Sequence, residues 1–282
     1  MMKQIVLGAV AAAALSGTAL AADVYEPVHE PVYQQPVEKK KHHGIGSGWY
    51  LRGDVGYAFN DLKGASYWLP GGIENDFDSA EVDDSWVIGG GVGYKVNHYL
   101  RTDLTVDYMF KSDFKGSTSG FCGGVVAPCV SDDISDFKAL SLLANAYIDL
   151  GSYYHKKITP YVGAGIGGTH ISWSDLKNTS CPPGGGVCDP TITHEGEKEW
   201  RFTYALMAGA SFKLNCNLAL DAGYRYRHVE GGKFFGFAAN GGPGSDDGFD
   251  VHEVRSGLRY TFGDCAPKEH AYVPYEPAPI YK

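Results

Sequence analysis

His170 and Ser172 stand two residues apart, so on a strand they share a face, and an imidazole beside a hydroxyl is the start of a nucleophilic hydrolase. Such a site needs a carboxylate to orient the imidazole, and the neighbouring segment offers only Glu197 and Glu199. A second pair, His252 and Ser256, lies four residues apart along the chain, roughly 13 Å in a strand and beyond contact. Polar residues on the rim of a scaffold explain both pairs without a third member, so no catalytic activity is expected. A different chemistry is offered by Asp61, Glu74, Asp76, Asp78, Glu81, Asp83 and Asp84, which stand against the single Lys63. Carboxylate oxygens suit Ca²⁺ and Mg²⁺, which can bridge to phosphates. No spaced calcium-loop pattern is present, and solvated charge on an exposed segment is the expectation. Neither a metal site nor a cofactor is expected.

The elements that carry these residues are read from composition first. The chain has 282 residues, 38 of them Gly and 19 Tyr, with 24 Lys and Arg against 33 Asp and Glu, a formal charge of −9. That balance argues against nucleic acid as a partner. The mean hydropathy of −0.22 and the absence of a long apolar run beyond the N-terminus argue against a helical membrane protein. Lys3, the apolar stretch from Ile5 to Leu15 and the closing Ala19-Leu20-Ala21 form a secretory signal peptide over 1–21. Residues 22–48 form a Pro-punctuated linker containing Lys39-Lys40-Lys41-His42-His43, and 263–282 form a tail of the same character.

Between them, over 49–262, the period is two. Trp49, Leu51, Gly53, Val55, Tyr57 and Phe59 alternate with Tyr50, Arg52, Asp54, Gly56, Ala58 and Asn60. Similar runs begin at Trp86, Leu100 and Leu140, a Gly-rich run spans Tyr161 to Ile171, and others centre on Leu206, Leu220 and Leu258, eight strands in all. Their connections alternate in length. Long ones (Asp61–Asp83, Lys111–Asp136, Ser172–Glu199, His228–Asp250) follow odd strands, and tight ones at Asn97-His98, Gly151-Ser152 and Asn215-Cys216-Asn217 follow even strands. This predicts an all-β fold, an eight-stranded antiparallel up-and-down barrel that crosses a membrane. The non-apolar face carries Arg52, Asp54, Arg101, Asp103, Asp107, Asp149, Asp221, Arg225, Arg227, Glu253, Arg255 and Arg259. These ions are expected to line the lumen as a salt-bridged plug, while apolar residues meet lipid and aromatics such as Trp49, Trp86, Tyr108, Phe110 and Tyr224 form interfacial girdles.

The stretches GWYLRGDVGYAF, TPYVGAGIGG, LALDAGYRYR and VRSGLRYTF resemble the small outer-membrane barrels of Gram-negative bacteria, the OmpA-like, opacity or "porin family" surface antigens of alphaproteobacteria. The resemblance implies residence in the outer membrane, contact with its lipid and lipopolysaccharide, and folding by the outer-membrane assembly machinery. It also implies a terminal assembly pattern at Leu258, Tyr260 and Phe262, although this chain continues beyond it. Some relatives bind haemin, for which His194, His228 and His252 are the available imidazoles. The expected function is a structural surface barrel contributing to envelope integrity. A narrow porin for small solutes and an adhesin or haemin-binding barrel, with a host or surface ligand at the loops, stand as alternatives. The fourth long connection, with Phe234, Phe235 and Phe237, could meet such a partner or fold onto the barrel mouth.

Export makes disulfides the first reading of six cysteines. Topology predicts Cys122–Cys129 and Cys181–Cys188, each within one long connection, and Cys216–Cys265 where the last two strands meet at the turn end. Six cysteines allow fifteen pairings, and an exchange between the second and third long connections is the rival.

Overall fold

The structure is a computed structural model and describes residues 48–69, 71–122, 128–151, 157–238 and 241–263. The signal peptide, the linker up to residue 47, the tail from 264 and Cys265 lie outside the described residues. Alternation of apolar and polar side chains builds extended chain throughout. The strands are β1 (Trp49–Leu62), β2 (Ala65–Leu69), β3 (Ile73–Asp76), β4 (Ser79–Val82), β5 (Ser85–Lys95), β6 (Leu100–Ser117) and β7 (Ser119–Phe121). They continue as β8 (Pro128–Asp149), β9 (Ile158–Trp173), β10 (Leu176–Cys181), β11 (Ile192–His194), β12 (Lys198–Lys213), β13 (Leu218–Phe235) and β14 (Gly244–Thr261).

Eight of these form a ring in which each pairs antiparallel with its neighbours: β1, β5, β6, β8, β9, β12, β13 and β14. β1 joins the last strand, Tyr50 opposite Thr261 through Leu62 opposite Phe249, and it also joins β5, Trp49 opposite Tyr94. Two of the tight connections are built alike. Asn97 Oδ1 accepts from the backbone N–H groups of Tyr99 and Leu100, both at 2.8 Å. Asn215 Oδ1 does the same for Asn217 and Leu218 at 2.9 and 2.8 Å. An Asn at the head of a two-strand turn closes it through its own side chain, which keeps the connection short.

The long connections are not the loops that the sequence suggested. β8 has 22 residues, on the order of 70 Å of extended chain, whereas about ten residues cross a bilayer. The strands therefore rise past the membrane, and the segments expected as loops are largely strand. β2 and β3 form a hairpin on β14, β4 pairs with β6, and β7 and β10 pair with β8. Alternation cannot mark where a strand leaves the lipid, because the backbone pattern continues unchanged.

A bulge between Met109 and Ser112 in β6 reverses the phase of that strand. Met109 points inward before it and Phe114 points inward after it, although both could not share a face under strict alternation. A second irregularity between Lys233 and Phe235 turns both Phe234 and Phe235 inward. These corrections fill the upper barrel with an apolar core comprising Phe114, Phe137, Trp173, Leu176, Phe234 and Phe249, with Val229, Val251 and Ile171 around them. In β5, Gly89 and Gly93 leave room inside, since a Cβ would fall on the Asp107 carboxylate at one and on the Tyr50 ring at the other.

Candidate functional site

The lumen is built in tiers, starting at the end that carries the tight turns. Arg101 Nε donates to Asp149 Oδ1 at 3.0 Å, and Arg259 Nε donates to Asp221 Oδ2 at 2.9 Å. The Arg101 guanidinium lies between the rings of Tyr147 and Tyr161, 4.5 and 4.7 Å from their centroids. Above this, Arg52 is held by Asp54 at 2.6 Å, by Asp103 at 3.1 Å and by the Tyr147 hydroxyl at 2.9 Å. The next tier is shared between strands on opposite sides of the ring. Asp107 of β6 receives Arg225 at 2.7 Å and Arg255 at 2.5 Å. Glu253 of β14 receives Arg225, Arg227 and Arg255 at 2.7, 2.9 and 3.3 Å. Ser141, Thr169 and Thr203 continue the hydrogen bonding inward from β8, β9 and β12.

All twelve ionic residues expected in the lumen face it, six guanidiniums against six carboxylates. Formal neutrality makes this burial tolerable, because an unmatched buried charge costs several kcal/mol, of the order of 3–5 on loss of one partner. Arginine suits the task because its planar fork reaches two carboxylates at once. Between the tiers, Arg52, Asp54, Tyr147, Tyr161, Met207 and Arg225 line a pocket with room for about one or two water molecules.

The ionic plug expected from the sequence occupies only part of the lumen. Above Thr203 the filling becomes aromatic. Trp173 lies 4.1 Å from Phe234, Phe114 is 4.7 Å from Phe234, and Phe137 is 4.9 Å from Trp173 and 5.0 Å from Phe249. Phe234 and Phe235 are thus interior residues, whereas Phe237 is 79% exposed at the tip of the β13–β14 hairpin. The missed signal lay in the two bulges, which strict alternation does not anticipate.

The wall is interrupted between β12 and β13. β12 and β13 pair up to Thr203 opposite Val229, and the backbones then part. Side chains complete the wall there: Lys233 N–H donates to Glu199 Oε1, Arg201 Nη2 donates to the Lys233 carbonyl at 2.7 Å, and Arg201 Nη1 binds Asp246 at 2.6 Å. Gly232 leaves the space these groups occupy. Higher up, Glu197 N–H donates to the Phe234 carbonyl at 3.2 Å and brings the strands together again.

The outward face of the eight strands is apolar, with Leu51, Val55, Ile88, Leu104, Leu142, Ile166, Leu206, Val254 and Leu258 exposed. Beyond its upper edge, Asp250 accepts from His228 Nδ1 and from Lys63 Nζ, both at 2.6 Å, and from the Tyr226 hydroxyl at 2.8 Å. Burial favours the neutral Asp250 carboxyl, but these hydrogen bonds outweigh it and hold the group down at about 2. Its partner Lys63, bonded to Asp250 and Asp61, is raised above the ordinary lysine range.

The residues singled out for chemistry are not brought together. His170 faces outward and packs on Trp200 at 5.3 Å, whereas Glu199 turns inward to Arg201. His252 bonds the Tyr224 hydroxyl rather than Ser256. His194 is buried against Phe235, with Nδ1 3.0 Å from the Gly236 carbonyl, and His228 is engaged by Asp250. The acidic residues of the first connection disperse: Glu74 accepts from Ser66, Asp78 from Ser119 and Asp84 from the Asn60 N–H. Among the described residues, no cluster of three His, Cys, Asp or Glu is arranged to hold a metal. Cys122 joins Cys129 and Cys181 joins Cys188, with Cα separations of 5.6 and 4.2 Å. Cys216 is also disulfide-bonded, and the pairing expected with Cys265 lies outside the described residues.

An eight-strand antiparallel ring with an apolar exterior, an ionic interior and all its long connections at one end is an outer-membrane barrel. The chain belongs to the outer membrane protein beta-barrel domain family, whose model matches residues 6–262. It is 36% identical over 273 residues to an uncharacterized protein of Brucella abortus (strain 2308), covering 85% of this chain and 90% of that one. It is 24% identical over 185 residues to the outer membrane protein PagN of Salmonella typhimurium, covering 64% and 73%. To an opacity protein of Neisseria gonorrhoeae it is 30% identical over 121 residues, covering 38% and 46%. The protein is thus placed in the cell outer membrane, with its short turns toward the periplasm and its long connections outside.

Proposed function

We propose that this protein is a structural surface barrel, a non-catalytic lipid-embedded wall that contributes to envelope integrity rather than conducting solutes. The observation that carries the reading is the double seal: a neutral guanidinium–carboxylate network below and a packed aromatic core above. An eight-stranded ring has space inside only for its own side chains, and here both levels are filled. Leu258, Tyr260 and Phe262 face outward along the last strand and offer their alternating pattern to the assembly machinery. Deleting the protein should sensitise cells to detergents and bile salts, and complementation should restore resistance. In planar bilayers the purified barrel should be silent. Stable nanosiemens openings would replace this reading with the narrow-pore one.

A second reading, a ligand-binding surface barrel, draws on apolar residues at the outer end, where Phe121 is 72% exposed and Phe237 is 79% exposed. It predicts that Phe121→Ser with Phe237→Ser abolishes attachment to a ligand-bearing surface while detergent resistance is kept.

A further inference from the structure

On the outer wall at the upper edge of the apolar band, three neighbouring strands place polar residues in one cross-strand row. Lys138 of β8 lies opposite Ser172 of β9, and Ser172 lies opposite Lys198 of β12. Directly opposed residues on adjacent strands are about 5 Å apart, so the two lysine backbones stand about 10 Å apart with the serine between them. Both lysines are exposed on the outward face. The row beneath, toward the membrane, is Leu140, His170 and Trp200. The Trp200 ring lies over Gly168, where a Cβ would meet it at 3.3 Å, and packs against His170. It forms an apolar shelf below the two ammonium groups.

Three other lysines of the upper barrel are matched to carboxylates. Lys63 binds Asp61 and Asp250, Lys111 binds Asp113 and Asp136, and Lys115 binds Asp83. Asp136, the carboxylate nearest in sequence to Lys138, is occupied by Lys111 and by the Ser174 hydroxyl. Among the described residues, neither Lys138 nor Lys198 has a carboxylate partner. Two like charges flanking a hydroxyl repel each other unless an anion lies between them. A lysine stem is long enough to lie along an apolar wall with its ammonium group at the boundary between hydrocarbon and headgroup.

We propose that Lys138, Ser172 and Lys198 form a site for the phosphomonoester of a glycolipid in the outer leaflet, whose acyl chains run down the wall past Trp200. The two ammonium groups clamp the phosphate, the Ser172 hydroxyl donates to it, and the indole covers the first methylenes. This assignment rests on the barrel's placement in the membrane and not on its being sealed. It stands unchanged if the narrow-pore reading proves correct.

The test uses the full-length folded barrel in nanodiscs containing bisphosphorylated lipid A, or the same lipid with its phosphates removed. Native mass spectrometry reads the lipid retained per barrel. The wild type should retain the phosphorylated lipid preferentially. At about a fivefold effect per lysine, Lys138→Gln with Lys198→Gln should reduce retention about 25-fold. Lys138→Arg with Lys198→Arg should preserve it, and Lys111→Gln should leave it unchanged. Heat-modified gel migration verifies that each variant is folded. Equal retention of the two lipids by the wild type, or equal retention by wild type and the double Gln variant, would overturn the site. So would a loss in Lys111→Gln as large as in the double variant. In lipid A-free discs, inorganic phosphate should leave the ¹³C-methyl-lysine NMR signals of the two residues in place. A shift as large as that produced by lipid A would assign the site to free phosphate and overturn the lipid assignment.

Discussion

Glu253 is the residue on which the lumen network converges, because it receives three guanidiniums from two strands. Replacing it with Gln keeps the shape but leaves the tier with one excess positive charge, sealed from water. Unfolding of Glu253→Gln by urea in lipid vesicles should show a loss of about 3–5 kcal/mol. Ser141→Ala, which removes a neutral partner of Arg227, should cost nearer 1 kcal/mol. Asp250 makes a different prediction. Its folded pKa lies below the usual carboxylate value, so its contribution to stability is complete above about pH 4. That contribution is lost as pH falls toward 2, when protonation weakens its bonds to His228 and Lys63. An acid titration of unfolding should therefore be flatter in Asp250→Asn than in the wild type between about pH 4 and 2. The ionic face was legible in the sequence because strands simplify geometry: residues two apart must share a side, so Arg225 and Arg227, or Asp103 and Asp107, could be grouped without a structure. Which acid meets which base was not legible, because Asp107 and Arg225 are 118 positions apart and meet only across the closed ring.

At the level of elements, period-two alternation defined all eight ring strands but not their lengths. Strand propensity and alternation continue across the membrane boundary, so β6 and β8 gave no sign of their upper ends. The bulges were invisible for a related reason: each is one irregular step in an otherwise regular run, and it reassigns every residue beyond it. Phe114 belongs to the outward set by counting from Phe110 and to the core after the bulge. The same extensions set the role of the disulfides. Each described bridge spans a sequence separation of seven within one connection, so it constrains local chain only. Cys122→Ser with Cys129→Ser should speed proteolysis of the second connection, measured by mass spectrometry of the fragments. The barrel's own unfolding should change by less than about 3 kcal/mol.

For the molecule as a whole, the two fillings of the lumen behave as separate layers. Phe234 packs on Trp173, Phe114, Phe235 and Phe77, in the aromatic filling above the Arg225–Glu253 tier. Phe234→Ala should destabilise the projecting upper barrel by about 3–5 kcal/mol, seen as an early transition in thermal unfolding. The lower barrel should retain its heat-modified migration, and the variant should stay silent in planar bilayers because the ionic tiers remain.

The changeover between the layers also falls at one depth. Ala58, Ala139 and Val251 turn inward close to where the outer face passes from Phe59 to Asp61, from Leu140 to Lys138 and from His252 to Asp250. Inside and outside exchange polarity together, so the barrel is matched to a single hydrocarbon thickness. A thicker bilayer would draw Lys138 and Asp250 into acyl chains, whereas a thinner one would leave Trp200 and Phe110 in water, and neither displacement is relieved from within. Hydrophobic mismatch at this rim would make the protein sensitive to the thickness of the membrane that receives it.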